Sequence, residues 1–159
     1  MTTRPLFIGQ APSGTKSGGD EPLLGRIGKR LAGFAGLTVE EFAERVDRVN
    51  IFDAPPRGAG DTCSVFPLGQ ARSRAEVIRR DNAERETIVL LGRLVARAFD
   101  LEDELADTPC AWYVGAGDSR QRIGYLPHPS GLDRWYNSEE NRARAARFVR
   151  EALGLEVIV

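Results

Sequence analysis

The sequence predicts an α/β fold in which a parallel sheet is covered by helices on both faces, a three-layer α/β/α sandwich. Two observations carry that prediction. Short runs such as Pro5-Leu-Phe-Ile-Gly9 and Thr87-Ile-Val-Leu-Leu-Gly92 are apolar throughout rather than alternating, as strands buried on both faces are. Between such runs lie segments whose apolar residues recur at helical spacing, and strands alternating with helices are the pattern of crossover-connected parallel sheets. A length of 159 residues suits one domain with one sizeable core, so residues 1–159 are read as a single domain.

Taken in order, Pro5–Gly9 is the first strand, and Gln10-Ala-Pro-Ser-Gly-Thr-Lys-Ser-Gly-Gly-Asp20 is a long loop of turn residues. Leu23, Leu24, Ile27, Leu31 and Phe34 fall at helical spacing, with Gly36 suited to the left-handed C-cap. Thr38 with Glu41 reads as a capping box for a second helix, with Phe42, Val46 and Val49 as its buried stripe. Arg48-Val-Asn-Ile-Phe52 reads as a strand. Asp53 to Gly69 reads as a Pro/Gly-rich loop, of a length that is functional or disordered in most compact domains. Ser73 and Glu76 form another capping box, opening a charged helix to Asn82. Thr87–Gly92 feeds directly into a helix from Arg93 to Phe99. Cys110-Ala-Trp-Tyr-Val114 reads as a strand, Gly115 to Arg120 as a turn, and Arg122-Ile-Gly-Tyr-Leu126 as the last core strand. Ser138 caps a final helix to Leu153, apolar on the side of Ala143, Ala146, Phe148, Val149 and Leu153. Leu155–Val159 has the composition of a short closing strand.

Hydrophobic content of 42% and charged content of 28% are those of a soluble globular protein. No apolar run approaches the roughly 20 residues that cross a bilayer, and the N-terminus lacks the apolar segment of a signal peptide. The expectation is a cytoplasmic protein with no membrane partner. Cys63 and Cys110 are far apart, and two thiols with one histidine do not make a usual structural zinc site, so reduced thiols and no metal or other cofactor are expected. The net charge of −1 argues against a strongly basic nucleic-acid binder but leaves room for a local phosphate footprint. Lys16 and Lys29 are the only lysines; the other cations are arginines.

The chemistry-bearing stretch is Leu126-Pro-His-Pro-Ser-Gly-Leu-Asp-Arg-Trp-Tyr136. His128 is the only histidine in the chain, and prolines on either side fix its backbone. Ligands of open parallel sheets sit outside the carboxyl ends of the strands. Four strand ends converge there: Gly9-Gln10, Asn50–Asp53, Gly92 and Pro127-His128. The competing reading of His128 is a lone histidine capping a turn. Gly9-Gln-Ala-Pro-Ser-Gly14-Thr-Lys16-Ser17 comes close to a phosphate-binding Walker loop, but Thr15 separates glycine from lysine and no helix pattern begins at once. A serine hydrolase built from Ser130 and His128 fails because the two are near neighbours on one tight loop, with no Gly-x-Ser-x-Gly elbow.

Five stretches in order carry a resemblance that covers nearly the whole chain. Phe7-Ile-Gly-Gln-Ala-Pro-Ser13 looks like the motif written Gly-Glu-Ala-Pro-Gly or Gly-Ile-Asn-Pro-Gly in two branches of the uracil-DNA glycosylase superfamily. Pro22-Leu-Leu-Gly-Arg26 resembles the Pro-Phe-Val-Gly-Arg of the iron–sulfur branch. Asn50 falls where that superfamily has the asparagine that reads the base edge, and Ile88-Val-Leu-Leu-Gly-Arg93 matches its strand-to-helix junction. Pro127-His-Pro-Ser-Gly-Leu-Asp-Arg134 resembles its second motif, with the histidine of the uracil-specific branch and the Ser-Gly-Leu-x-Arg of the mismatch-specific one.

The resemblance implies a sandwich around a central, mostly parallel four-stranded sheet, acting as a monomer on DNA that contains uracil or a related modified pyrimidine. It implies catalytic roles for His128, as donor to the charge that builds on the base carbonyl, and for Gln10, as the residue that positions water. The extruded base would be held by Asn50, Gly9, Ala11, Pro12, Leu23 and Phe52. Ser13, Lys16, Ser130, Gly131 and Arg134 would meet the DNA backbone, with Leu132 wedged into the gap left in the duplex. The sequence departs from the superfamily in three respects. Gln10 and Ala11 stand where relatives carry Glu, Asp or Asn, leaving Asp20, Glu21, Asp53 or Asp61 to substitute. The aromatic that stacks on the base is replaced by Leu23, leaving that role to Phe7, Phe52 or Phe66. The cluster cysteines are absent. The rival reading is a base- or nucleotide-binding member of the same fold that does not hydrolyse. Trp135 and Tyr136 either contact DNA or pack against the final helix.

Overall fold

The computed structural model describes residues 3–10, 25–52, 67–115, 120–129 and 133–157. Five strands, β1 (Leu6–Gly9), β2 (Asp47–Asn50), β3 (Thr87–Leu91), β4 (Trp112–Val114) and β5 (Arg122–Leu126), form one sheet in the order β2-β1-β3-β5-β4. The first four in that order run parallel, with Gly9 opposite Asn50, Leu6 opposite Ile88 and Leu91 opposite Leu126. β4 joins the edge antiparallel to β5. The expected four-stranded sheet is therefore corrected to a mixed sheet of five. The physical reason lies in the short connection from Val114 to Arg122, which permits antiparallel pairing but is too short for the crossover a parallel neighbour needs.

Helices α1 (Arg26–Ala35), α2 (Val39–Arg45), α3 (Leu68–Asp81), α4 (Arg93–Ala98), α5 (Glu102–Leu105) and α6 (Glu139–Ala152) flank this sheet, and a 3-10 turn spans Arg134–Asn137. Alternate strand residues face opposite ways, so the apolar strands feed two cores. Phe7, Val89, Leu91 and Leu126 pack against Leu31, Phe42, Phe148 and Val149 of α1, α2 and α6. Leu6, Ile8, Ile88, Leu90, Ile123 and Tyr125 pack against Ala71, Ala75, Val95, Ala96 and Leu105 of α3, α4 and α5. Phe7, Ile8, Ile88 and Leu90 are fully buried, and each such side chain is worth about 1.5–3 kcal/mol of apolar burial.

Several elements begin and end where the sequence says they do. α1 ends at Gly36, whose φ of 72° is left-handed, and the Leu37 N–H donates back to the Ala32 carbonyl at 2.9 Å. The Thr38–Glu41 capping box is reciprocal, at 3.1 and 3.2 Å, and the Ser138 hydroxyl caps α6 by accepting from the Asn141 N–H at 3.3 Å. Gly124 of β5 has a tertiary cause. A Cβ there would lie 2.5 Å from Phe148 and 2.7 Å from Trp112, because those two rings stack directly over it with centroids 4.6 Å apart.

Other expectations are corrected. α3 starts at Leu68, ahead of the Ser73–Glu76 pattern. Ser73 sits inside the helix and its hydroxyl donates to the Gly69 carbonyl at 3.2 Å, a back-bond rather than a cap. Val49 lies on β2, since α2 stops at Arg45. In α6 the inward residues are Ala145, Phe148, Val149 and Ala152, while Ala143 is exposed. Residues 155–157 form no strand. The loops expected over 10–20 and 53–69 fall largely outside the described residues. Among the described residues, no helix is long and apolar enough to cross a membrane.

Candidate functional site

Because β2, β1, β3 and β5 are parallel, their carboxyl ends lie along one edge of the sheet. The pairing continues past the strands: Ile51 N–H donates to Gly9 O at 2.9 Å, Phe52 N–H to Gln10 O at 3.0 Å, and Gly92 N–H to Leu126 O at 2.9 Å. Asn50, Gly9-Gln10, Gly92 and Pro127-His128 thus stand in a row, with Asn50 and His128 three strand spacings apart, about 14 Å of backbone. Beside this row lies a cavity of about 350 Å³, a volume within the range of small-ligand sites. Its walls include Gln10, Arg93, Tyr125, His128, Asp133 and Trp135.

His128 is held from three directions. Pro127 and Pro129 are buried on either side. Gly92 lies under the ring: its φ of 96° is glycine's, and a Cβ there would sit 3.3 Å from His128 Cβ and 3.4 Å from Cδ2. The Tyr136 hydroxyl donates to the Pro127 carbonyl at 2.6 Å. Tyr136 is itself locked, stacked on Phe34 at 5.7 Å, edge-on to Trp135 at 4.9 Å, and covered by the Arg30 guanidinium at 4.4 Å. The 3-10 turn is tied to α6 as well, through Asn141 Nδ2 donating to Trp135 O and Arg142 to Tyr136 O, both at 2.8 Å. Tyr136 therefore takes the packing role. Trp135 is half-buried, with one side on this turn and another on the cavity.

The electrostatics favour neutral groups. Burial pushes the His128 imidazole below its ordinary pKa, and the Asp133 carboxylate opposes that shift without cancelling it. The ring is neutral at neutral pH and donates from one nitrogen. Burial pushes the Tyr125 phenol up to about 12, so it keeps its proton. Asp133 caps the 3-10 turn, one carboxylate oxygen accepting from the Trp135 N–H at 2.9 Å. Arg93 is partly engaged by Glu102 at 3.5 Å and Asp107 at 3.8 Å. The Arg97 guanidinium, 2.6 Å away, holds Glu102 below the usual carboxylate range. The Cys110 thiol is pushed up to about 11 by burial despite the nearby Arg144, and it stays unreactive at neutral pH.

Of the residues expected in the site, Gln10 and His128 share the cavity wall. Gly9 and Asn50 are paired on the adjacent strands of the same edge, and Asn50 is 5% exposed. Phe52 lies in the core on the α3–α5 face. Phe7 is fully buried on the other face, edge-on to Phe42 at 5.5 Å, so it is not available to stack on a ligand. Arg134 is exposed at the start of the 3-10 turn. Ala11, Pro12, Ser13, Lys16, Leu23, Ser130, Gly131 and Leu132 lie outside the described residues, as do Phe66, Asp20, Glu21, Asp53 and Asp61. Sequence reasoning missed Arg93, Tyr125 and Asp133 as wall residues, and gave Gly92 no contact with the histidine. Tyr125 is hidden in an apolar strand run. Asp133 lies two residues before Trp135, in the pattern of an ordinary cap, which masks any second role.

Fold and site together define an α/β protein with a ligand-sized cavity at the carboxyl edge of its parallel strands. No known protein family and no curated protein matches the chain.

Proposed function

We propose that the chain is a DNA glycosylase of the uracil-DNA glycosylase type, hydrolysing the N-glycosidic bond of uracil or a related modified pyrimidine flipped out of DNA. The observation that carries this reading is a neutral, wedged imidazole sharing one cavity with Gln10, on the sheet edge that also bears Asn50. As the glycosidic bond breaks, negative charge grows on the base carbonyl, and a preorganised neutral donor in a water-poor site stabilises that charge at little reorganisation cost. An amide at Asn50 matches an imide edge because it both donates and accepts. Asn50 stands on the same sheet edge, about 14 Å of backbone from His128, and is not itself among the residues lining the cavity. Tyr125 and Trp135, which line the cavity, replace Phe7 as candidates to face the base. The mostly parallel sheet with helices on both faces agrees in kind with the fold that the sequence motifs imply.

The second reading, a base-binding protein that does not hydrolyse, is favoured by one feature: Gln10 positions water but accepts no proton from it. A single experiment separates the two. Uracil-containing and other modified-base oligonucleotides are incubated with excess protein, and abasic sites are detected by alkaline cleavage. The glycosylase reading expects cleavage at one modified base, slowed about 10²-fold by His128→Ala. Base-specific binding without abasic sites overturns it in favour of the binding protein.

A further inference from the structure

The cavity contains an acid that neither the sequence motifs nor the resemblance assigns. Asp133 is half-buried at the start of the 3-10 turn, and it shares the cavity wall with Gln10 and His128. One of its oxygens is committed to the Trp135 N–H at 2.9 Å. A carboxylate has about four acceptor sites on its two oxygens, and among the described residues the Trp135 N–H takes one of them. Its charge reaches into the cavity, since it opposes the burial effect on His128 and adds to that on Tyr125 and Tyr136. The groups around it are Arg93 from α4, Tyr125 from β5, His128 from the β5 loop and Tyr136 from the turn itself. Tyr125 keeps its proton, His128 is neutral, and Arg93 is shared with Glu102 and Asp107. Among the described residues lining this cavity, Asp133 is the one anionic group.

On the glycosylase reading, we infer that Asp133 supplies the carboxylate missing beside Gln10, receiving the proton of the water that Gln10 positions. The bond from the sugar carbon to the base nitrogen breaks, and its electron pair leaves with the base. The water oxygen bonds to that sugar carbon, and the water proton passes to Asp133. His128 donates a hydrogen bond to the base carbonyl, and the departing base takes up a proton from solvent. The carboxylate's negative charge also balances the positive sugar as it forms.

The test uses three forms of the full chain. Asp133→Asn keeps an oxygen for the Trp135 N–H and removes the charge. Asp133→Glu keeps the charge and moves the cap. Single-turnover rates on the preferred oligonucleotide are measured from pH 4 to 9, with binding and thermal melting in parallel. The expected result is a loss of about 10²–10⁴-fold for Asp133→Asn, with binding retained, and a smaller loss for Asp133→Glu. The imidazole of the chain's single histidine gives a readout independent of activity: its NMR titration should move to lower pH in Asp133→Asn. A wild-type rate in Asp133→Asn, or a greater loss in Asp133→Glu with a matching loss of melting temperature, reduces Asp133 to a cap and overturns the inference while leaving the glycosylase reading intact. A wild-type chain that makes no abasic sites removes that reading, and the inference falls with it.

Discussion

Replacing Gly92 by alanine tests the site at its most constrained point. The residue has φ 96° and ψ 155°, a region that L side chains hardly enter, and strain of this kind costs on the order of 1–3 kcal/mol. The added methyl also meets His128 Cβ at 3.3 Å, a contact that forces a shift of a few tenths of an ångström. The loop cannot yield freely, because Tyr136 holds the Pro127 carbonyl at 2.6 Å and Gly92 N–H holds Leu126 O at 2.9 Å. Strain and overpacking together come to about 2–6 kcal/mol, which for a chain of this length lowers the melting temperature by about 4–24 °C. Because displacing a catalytic group by about 1 Å costs around 10²-fold, any glycosylase activity should fall about tenfold or more. Gly33→Ala is the matched control: its Cβ meets nothing within 4 Å on the exposed side of α1. That change should stabilise by about 0.5–1 kcal/mol. Calorimetry and denaturant titration measure both variants, and the imidazole resonance reports the position of His128. If Gly92→Ala melts with the wild type and leaves that resonance unmoved, the backbone conformation and the glycine–histidine contact are both misassigned.

Two further outcomes follow from the packing and the charge. Gly124→Ala puts a methyl 2.5 Å from Phe148 and 2.7 Å from Trp112; parting that stack should cost about 2–3 kcal/mol, visible as a lower denaturant midpoint and a changed near-ultraviolet tryptophan signal. The folded His128 pKa lies below its ordinary 6.5, so above pH 6.5 the ring is neutral in both states and contributes no pH dependence. As pH falls below that value the unfolded chain gains the proton first, and stability is lost until the folded pKa is passed. His128→Gln should lack this loss, so the two stability curves should run parallel above about pH 6.5, and below it the wild type should lose stability relative to the variant. Parallel curves down to pH 4.5 would mean that the imidazole is solvated.

Much of the fold was legible because its signals are local. The two-sided apolar runs at Leu6–Gly9 and Thr87–Leu91, the Gly36 C-cap, the Thr38–Glu41 box and the Ser138 cap each depend on a few neighbouring residues, and each forms as expected. Where the pattern could be met in two ways, it misled. Ser-x-x-Glu at Ser73 has the spacing of a cap, but the chain upstream of it was already helical. Ala143 and Ala145 differ little in chemistry, and the turn of α6 against α1 decides which of them faces inward.

The class of fold, the position of the lone histidine on a strand-end loop and the row of strand ends that meets it can all be read along the chain. These follow from periodicity and backbone chemistry, which act over a few residues. Long-range packing sets the rest: β4 closes the sheet antiparallel, Gly92 forms the floor under His128, Phe7 belongs to the opposite core, and Asp133 lines the same cavity as Gln10. Such facts depend on which residues distant in the chain come to lie within a few ångströms of one another. Burial, and with it the charge state of the imidazole, exists only once those contacts have formed.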